Sequence, residues 1–363
     1  MSEPKREQIE EYLTDLLGEN VTVTGLTMLA QEAESKSVKA YGYGIPIRVD
    51  YQMPDKWQHV AVLHTLSKGP FGHEHMSDRA QKLLWEHQAF NRLPCHVRSL
   101  DVGGLQPNGC VISLGKVEEF CLLTEYAEGQ GYFLDLERLR NDDELTALDV
   151  ARADALCDYL VEIHRVPGTD AGLYVRRIRE LVGDGECIMG LADSYPQQHA
   201  YISGSVLERI EHLCVNWRWR LKKLDHRLRQ VHGDFHPWNI LFRAETDFRL
   251  LDRSRGEYGD PADDVASLTI NYLFFSLQRS GRLQGSFEKL FRRFWDRYLE
   301  HSEDRELLQV VAPFYVFRGL VIASPLWYPS LSDMVRRRLL AFMFAVLESQ
   351  QFDPAQVNIY CGA

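Results

Sequence analysis

Val231-His232-Gly233-Asp234-Phe235-His236-Pro237-Trp238-Asn239-Ile240-Leu241-Phe242 crowds four polar side chains, His232, Asp234, His236 and Asn239, into a short segment broken by Gly233 and Pro237. Glycine and proline at that spacing interrupt regular structure, so the segment reads as a loop. Ile240-Leu241-Phe242 then reads as a strand and Arg243-Ala244-Glu245-Thr246-Asp247 as a turn. Phe248-Arg249-Leu250-Leu251 reads as a second strand, ending at Asp252. When two such strands pair as an antiparallel hairpin, the start of the first lies beside the end of the second. Asn239 and Asp252 are thereby expected at one hairpin mouth.

An amide oxygen and a carboxylate are hard ligands. They suit Mg²⁺, which takes a couple of protein oxygens and fills its shell with water and substrate phosphates. Asn239 and Asp252 are therefore the candidate metal ligands. Asp234, a few residues upstream, is placed to accept a proton from a substrate hydroxyl, the task of the one carboxylate that phosphoryl transfer requires. His232 and His236 flank it and are read either as proton-handling groups or as ties within the loop, since one base suffices. Each of the Asx residues also suits a turn, but a turn does not require all three together.

The order His-Gly-Asp-x-His-x-x-Asn at 232–239, then Asp252, then Gly259-Asp260-Pro261-Ala262-Asp263-Asp264, resembles the aminoglycoside phosphotransferase/choline kinase-like family. The resemblance implies an α+β, two-lobed protein-kinase-like fold, with a small antiparallel-sheet N-lobe and a larger, mainly helical C-lobe. It implies that Asp234 is the catalytic base, that Asn239 and Asp252 hold the metal, and that Asp264 holds the catalytic loop. Leu122-Leu123-Thr124-Glu125-Tyr126-Ala127-Glu128-Gly129 resembles the inter-lobe hinge, which would bring the backbone of Glu125, Tyr126 and Ala127 to adenine. Trp85-Glu86-His87-Gln88-Ala89-Phe90 resembles the helix whose glutamate pairs with a strand lysine, making Glu86 a cofactor-side candidate.

The chain departs from the family in the small lobe. Val62-Leu63-His64 stands where relatives carry Val-Leu-Arg or Val-Leu-Lys. An ordinary imidazole, with a pKa of about 6.5, is a weak phosphate donor at neutral pH. His64 and the nearby Lys68 are the cofactor-side candidates, with Arg48 and Lys39 as further cations on a neighbouring strand. Gly42-Tyr43-Gly44 is no G-x-G-x-x-G and suits a turn or bulge, with a phosphate-covering loop as the other reading, and Asp252 is followed by Arg253 rather than an aromatic residue. The implied activity is ATP-dependent and Mg²⁺-requiring transfer of the γ-phosphate to a hydroxyl of a small molecule: aminoglycoside-like, an amino alcohol or a sugar. The departures leave a degenerate, nucleotide- or partner-binding kinase-like protein as the alternative.

Working outward, the first third reads as strands with a helix over Glu7–Leu17 and another over Ser77–Leu93. Strands are expected at 21–27, 37–51, 59–66, 100–102, 109–114 and 120–124. After residue 133 the pattern turns helical. Asn141 with Glu144 is read as the capping box of a helix whose core stripe runs through Leu156 and Leu160, and Arg279-Ser280-Gly281 as a break. The expected division is an N-terminal lobe over 1–128 and a C-terminal lobe over 129–363.

Composition limits the alternatives. The 363 residues are 45% hydrophobic and 26% charged, with a formal net charge of -11 from 41 Lys+Arg against 52 Asp+Glu. That balance excludes a nucleic-acid-coating protein, which needs an excess of cations over the phosphates it neutralises. The 7 cysteines form no C-x-x-C pair, so free thiols are expected rather than a zinc ribbon or a disulfide framework. No apolar run approaches the roughly 20 residues of a membrane span, and the polar start carries no signal-peptide pattern, so a cytoplasmic protein is expected. A two-metal phosphoesterase is suggested by Asp234-x-His236, but His301 is the one histidine after Asp264 and no Gly-Asn pair follows. Oligomeric state is left open.

Overall fold

Alternating apolar positions and turn residues build an antiparallel sheet, of order β1-β2-β3, from β1 (Thr22–Met28), β2 (Ile47–Gln52) and β3 (Gln58–Leu63). It follows α1 (Arg6–Leu17), which ends where Gly18 takes a left-handed φ of 74°. The computed structural model describes residues 5–29, 46–69, 72–196 and 202–363. It divides into two units, Met1–Thr124 and Glu125–Ala363. The first unit adds α2 (Met76–Phe90) and a hairpin of β4 (Gly103–Leu105) with β5 (Val111–Ser113). Its core is Ile9, Leu13, Val21, Val23, Val49 and Tyr51, and α2 has no buried residue.

Two sequence expectations shift here. The strand expected at 100–102 forms at Gly103–Leu105, and 120–124 forms none. Leu122 and Leu123 are 88% and 96% exposed, an apolar run with no strand beside it among the described residues, and β propensity without such a partner does not make a strand. Gly42-Tyr43-Gly44 and Lys39 lie outside the described residues.

In the second unit, β6 (Gln130–Gly131) leads into α3 (Tyr132–Asp142), α4 (Ala147–His164), α5 (Ala171–Gly183), α6 (Ile188–Ser194) and α7 (Gly204–Leu221). The capping box expected at Asn141/Glu144 is instead Thr146/Asp149, with Asp149 N donating to Thr146 Oγ1 at 3.2 Å and Thr146 N to Asp149 Oδ2 at 2.8 Å. Asp143, left-handed at φ 59°, ends α3 first and so moves the next helix start downstream.

Then come β7 (Arg229–Gln230), β8 (Ile240–Ala244), β9 (Asp247–Leu250) and β10 (Tyr258–Gly259), followed by α8 (Pro261–Ser280), α9 (Gly285–Ser302), α10 (Leu307–Val310), α11 (Ala312–Ala323), α12 (Asp333–Glu348) and α13 (Val357–Tyr360). α8 is buried on nearly every side and forms the centre of the unit, in contact with α3, α9 and α11. It stops at Gly281, at the expected break. α9 is amphipathic, packs Phe287, Phe291, Phe294 and Trp295 inward, and lies along α4, where Arg293 and Arg297 each fork onto an aspartate, Asp154 and Asp158.

All seven cysteines are free. Among the described residues no helix is long and apolar enough to cross a membrane.

Candidate active site

The hairpin expected around Asn239 and Asp252 forms. β8 and β9 pair with Ile240 opposite Leu250, and Leu251 N donates to Asn239 O at 2.9 Å, so the ladder runs one step further and Asp252 follows directly. Asp252 takes a left-handed φ of 53°, is exposed, and accepts from Ser254 N at 3.0 Å through Oδ1. That turn ends the strand with a carboxylate at the mouth. The side-chain amide of Asn239 donates to Asp234 O at 3.0 Å and Oδ2 at 3.2 Å. Its amide oxygen takes no hydrogen bond from the described residues, so it is available to a ligand.

The loop carrying Asp234 spans the gap between β7 and β8, and a buried carboxylate fixes its main chain. Asp264, in the first turn of α8, accepts from His232 N at 2.8 Å and from Gly233 N at 2.7 Å. His164 Nε2 lies 3.1 Å from the same carboxylate and its Nδ1 lies 2.7 Å from the Tyr298 hydroxyl. Gly233 sits at a left-handed φ of 86°, and a Cβ there would press on Arg255 at 3.0 Å. Burial pushes the Asp264 carboxyl up, but His164 and the loop amide that donate to it hold it below the usual carboxylate range.

Asp234 itself is gripped through both oxygens. Arg318, on α11, donates through Nη1 to Oδ1, and through Nη2 to Gly233 O at 2.9 Å and to Asp263 Oδ1 at 2.7 Å. Asn239 and His236 address Oδ2, the His236 Nε2 standing 3.4 Å away. Burial pushes Asp234 up, yet the hydrogen bond from His236 and the Arg318 charge outweigh it and hold the carboxyl well below its ordinary range. It is ionised throughout the neutral region. Asp263 goes the other way: burial raises it in spite of Arg318 and Arg255.

The two histidines serve the loop. His232 is buried, its Nδ1 accepts from Asp234 N at 3.2 Å, and burial lowers its pKa, leaving it neutral at pH 7. His236 caps the short turn Pro237–Asn239, its Nδ1 accepting from Trp238 N at 3.2 Å. A cavity of about 190 Å³ lies against the loop, bounded by Tyr159, His232, Leu251, Asp252 and Arg253. Arg253, in the place of the family's aromatic residue, donates to Val231 O at 2.9 Å and to Glu257 O at 3.1 Å, tying the hairpin exit to the loop.

The structure thus brings Asp234, His232, His236, Asn239 and Asp252 together in the second unit. Glu125, Tyr126 and Ala127 lie in an irregular stretch at the start of that unit, with Tyr126 89% exposed. The remaining candidates belong to the first unit. His64 and Lys68 are exposed just beyond β3, and Glu86 stands on α2 at 3.8 Å from Lys82. Arg48 is engaged by Asp50 at 2.8 Å.

Sequence reasoning missed Arg318 and the fork of Arg227 onto Asp260, with Nε–Oδ2 at 2.9 Å and Nη2–Oδ1 at 3.0 Å, joined by Tyr174 at 2.8 Å. Asp260 also caps α8, accepting from Ala262 N at 2.9 Å. The available signal was that Arg318 is the one charge in Ala312–Ala323, APFYVFRGLVIA; a charge inside an apolar helix announces a buried partner.

The donor set fits Mg²⁺. Asn239 and Asp252 supply an amide and a carboxylate oxygen, and no group of three His, Cys, Asp or Glu among the described residues makes an all-protein cage. A cation held here would complete its shell with water and phosphate oxygens, as Mg²⁺ does.

The model of the phosphotransferase enzyme family (APH) matches residues 111–309. No curated protein sequence matches the chain. Among solved structures, an amicoumacin kinase in complex with AMP-PNP and Ca²⁺ is similar at 15% identity, with 88% of this chain and 91% of that chain covered and a TM-score of 0.42. An ethanolamine kinase of Plasmodium vivax is similar at 12% identity, covering 96% of this chain and 84% of its own, with a TM-score of 0.34. An ADP-bound aminoglycoside phosphotransferase gives 16%, 96%, 98% and 0.32 for the same quantities.

Proposed function

The chain belongs to the phosphotransferase enzyme family, with an α+β, two-lobed protein-kinase-like fold, and on that premise we propose that it moves the γ-phosphate of ATP to a hydroxyl of a small molecule. The observation that carries the reading is a carboxylate, Asp234, held through both oxygens by Arg318 and Asn239 beside two candidate oxygen ligands at a hairpin mouth. Asp234 accepts the hydrogen bond of the acceptor hydroxyl and orients its oxygen for in-line attack. As the new O–P bond forms, the bond from the γ-phosphorus to the β,γ-bridging oxygen breaks, ADP leaves, and the hydroxyl proton passes to the Asp234 carboxylate and on to water. Asn239 and Asp252 hold Mg²⁺, which when bound neutralises charge on the phosphates. The adenine is assigned to the backbone of Glu125–Ala127. The depressed basicity of Asp234 suits a loose transition state, in which the attacking oxygen needs direction more than early deprotonation.

The test is a coupled ATP-turnover assay against aminoglycosides, amino alcohols and sugars. Asp234→Asn is expected to cut turnover by about 10³-fold while leaving nucleotide binding intact. Asp252→Ala is expected to abolish the Mg²⁺ dependence of AMP-PNP binding with a small fall in melting temperature, because Asp252 is exposed but holds a left-handed turn that alanine tolerates less well. Unchanged turnover in both variants removes the assignment. Nucleotide binding without transfer to any acceptor establishes the degenerate alternative instead.

A further inference from the structure

Resting on that reading, we propose that Arg318 is a positioning residue of the transfer: it pins Oδ1 of Asp234 and thereby presents Oδ2, the oxygen beside Asn239, to the acceptor hydroxyl. Asp264 and Arg318 hold different parts of the loop. Asp264 takes the backbone N–H groups of His232 and Gly233 and so fixes the main chain. A carboxylate on a fixed main chain still turns about its side-chain torsions. Arg318 restrains one oxygen, Oδ1, from the far side of the carboxylate, while Asn239 and His236 address Oδ2. Its guanidinium reaches Gly233 O, Asp234 Oδ1 and Asp263 Oδ1 at once, three points on two elements, from a helix far downstream.

The burial of Arg318 argues that this contact serves more than packing. The residue is 7% exposed, its Nε has no hydrogen-bond partner among the described residues, and the rest of α11 is apolar. Replacing a whole buried ion pair by packed apolar residues is commonly neutral, whereas removing one partner strands the other charge, so burial of the pair is weak evidence that it is kept for stability. A guanidinium is retained where its rigid fork does what a methylene chain cannot. The Phe317 ring lies 4.5 Å from the guanidinium carbon of Arg318 and 4.7 Å from that of Arg255. Arg318 is not among the nucleotide-side candidates, so its loss is expected in the chemical step rather than in nucleotide affinity.

The experiment compares the full-length wild type with Arg318→Met, Arg318→Lys and Arg318→Ala. ATP turnover is measured with and without the acceptor panel, AMP-PNP affinity by fluorescence, and folding by thermal melting. A misplacement of about 1 Å costs on the order of 10²-fold, and that is the expected fall in kcat for Arg318→Met, with KM for ATP moved by less than about three-fold. Arg318→Lys restores a charge but not the fork and is expected to fall between. Guanidinium chloride at non-denaturing concentration is expected to restore part of the turnover of Arg318→Ala and none of that of Asp234→Asn. If Arg318→Met does not fold, the lysine variant and the guanidinium rescue decide. An active wild type beside an equally active Arg318→Met, or losses that follow AMP-PNP affinity and show no rescue, overturns the proposal alone. A wild type that turns over no ATP under any of these conditions overturns the functional reading, and this proposal with it.

Discussion

Among the described residues, the ion pairs of the first unit lie at the surface, whereas the second unit buries several of its own. In the first, Arg48 pairs with Asp50 along one strand and Lys82 with Glu86 along one helix, in both cases with solvent around them. In the second, Arg227–Asp260, Arg318–Asp234 and His164–Asp264 lie inside a core that packs α3, α8, α9 and α11 together. The first unit could not hold such pairs. Its core is a handful of side chains on one face of a three-stranded sheet, and α2 adds no buried residue. Charges removed from water require close-packed surroundings and a full set of partners. The Asp234 carboxylate, which the proposed transfer needs held in place, is found in the large core, on a loop anchored by helices.

The largest effect that tests this contrast is expected at Asp264. Asp264→Ala strands two loop amides and a buried histidine, and removing one partner of a buried pair costs about 3–5 kcal/mol. Chemical denaturation is expected to show that loss, and ATP turnover is expected to vanish with the loop geometry. Asp50→Ala, which removes the partner of Arg48 in the first unit, is expected to leave the denaturation midpoint where it was. Equal costs at the two positions would break the contrast.

A smaller effect comes from acid. Burial raises Asp260 and Asp264, but Arg227 in the one case and His164 in the other hold both below their unfolded values. A depressed folded-state pKa contributes stability above the unfolded pKa of about 4, and that contribution is lost as pH falls through the folded value. Thermal melts are therefore expected to be level between neutral pH and about pH 5, then to drop as these carboxylates protonate. Asp264→Asn is expected to shallow that drop. An unchanged acid slope in that variant places the acid sensitivity elsewhere.

The same contrast explains what was legible in the sequence. Asp234, Asn239 and Asp252 were readable because a loop and a single hairpin bring them together, so short-range spacing carries the geometry. Arg318 and Asp234 meet through the packing of α11 on α8, which no local spacing encodes, although a lone charge in an apolar helix marks the place. The misplaced cap is a competition between adjacent candidates: Asn141 and Thr146 both suit a helix start, and the left-handed turn at Asp143 settles it. In the first unit the apolar run at Leu122–Leu123 reads as a strand until it is seen to lack a neighbour.

The smallest effect is expected at Glu86. Its one ion pair, at 3.8 Å to Lys82 with both side chains well exposed, contributes no more than about 0.5 kcal/mol, so Glu86→Gln is expected to leave the melting temperature in place. The family resemblance gives this glutamate a nucleotide-side role, and the signature of that role is a raised KM for ATP at unchanged stability. Arg318→Met is expected to do the reverse, lowering kcat at constant KM. The two variants together test whether nucleotide affinity and alignment of the reacting groups separate between Glu86 and Arg318. A Glu86→Gln protein that loses kcat and keeps its KM assigns alignment to the first unit as well, and the division drawn from burial no longer holds.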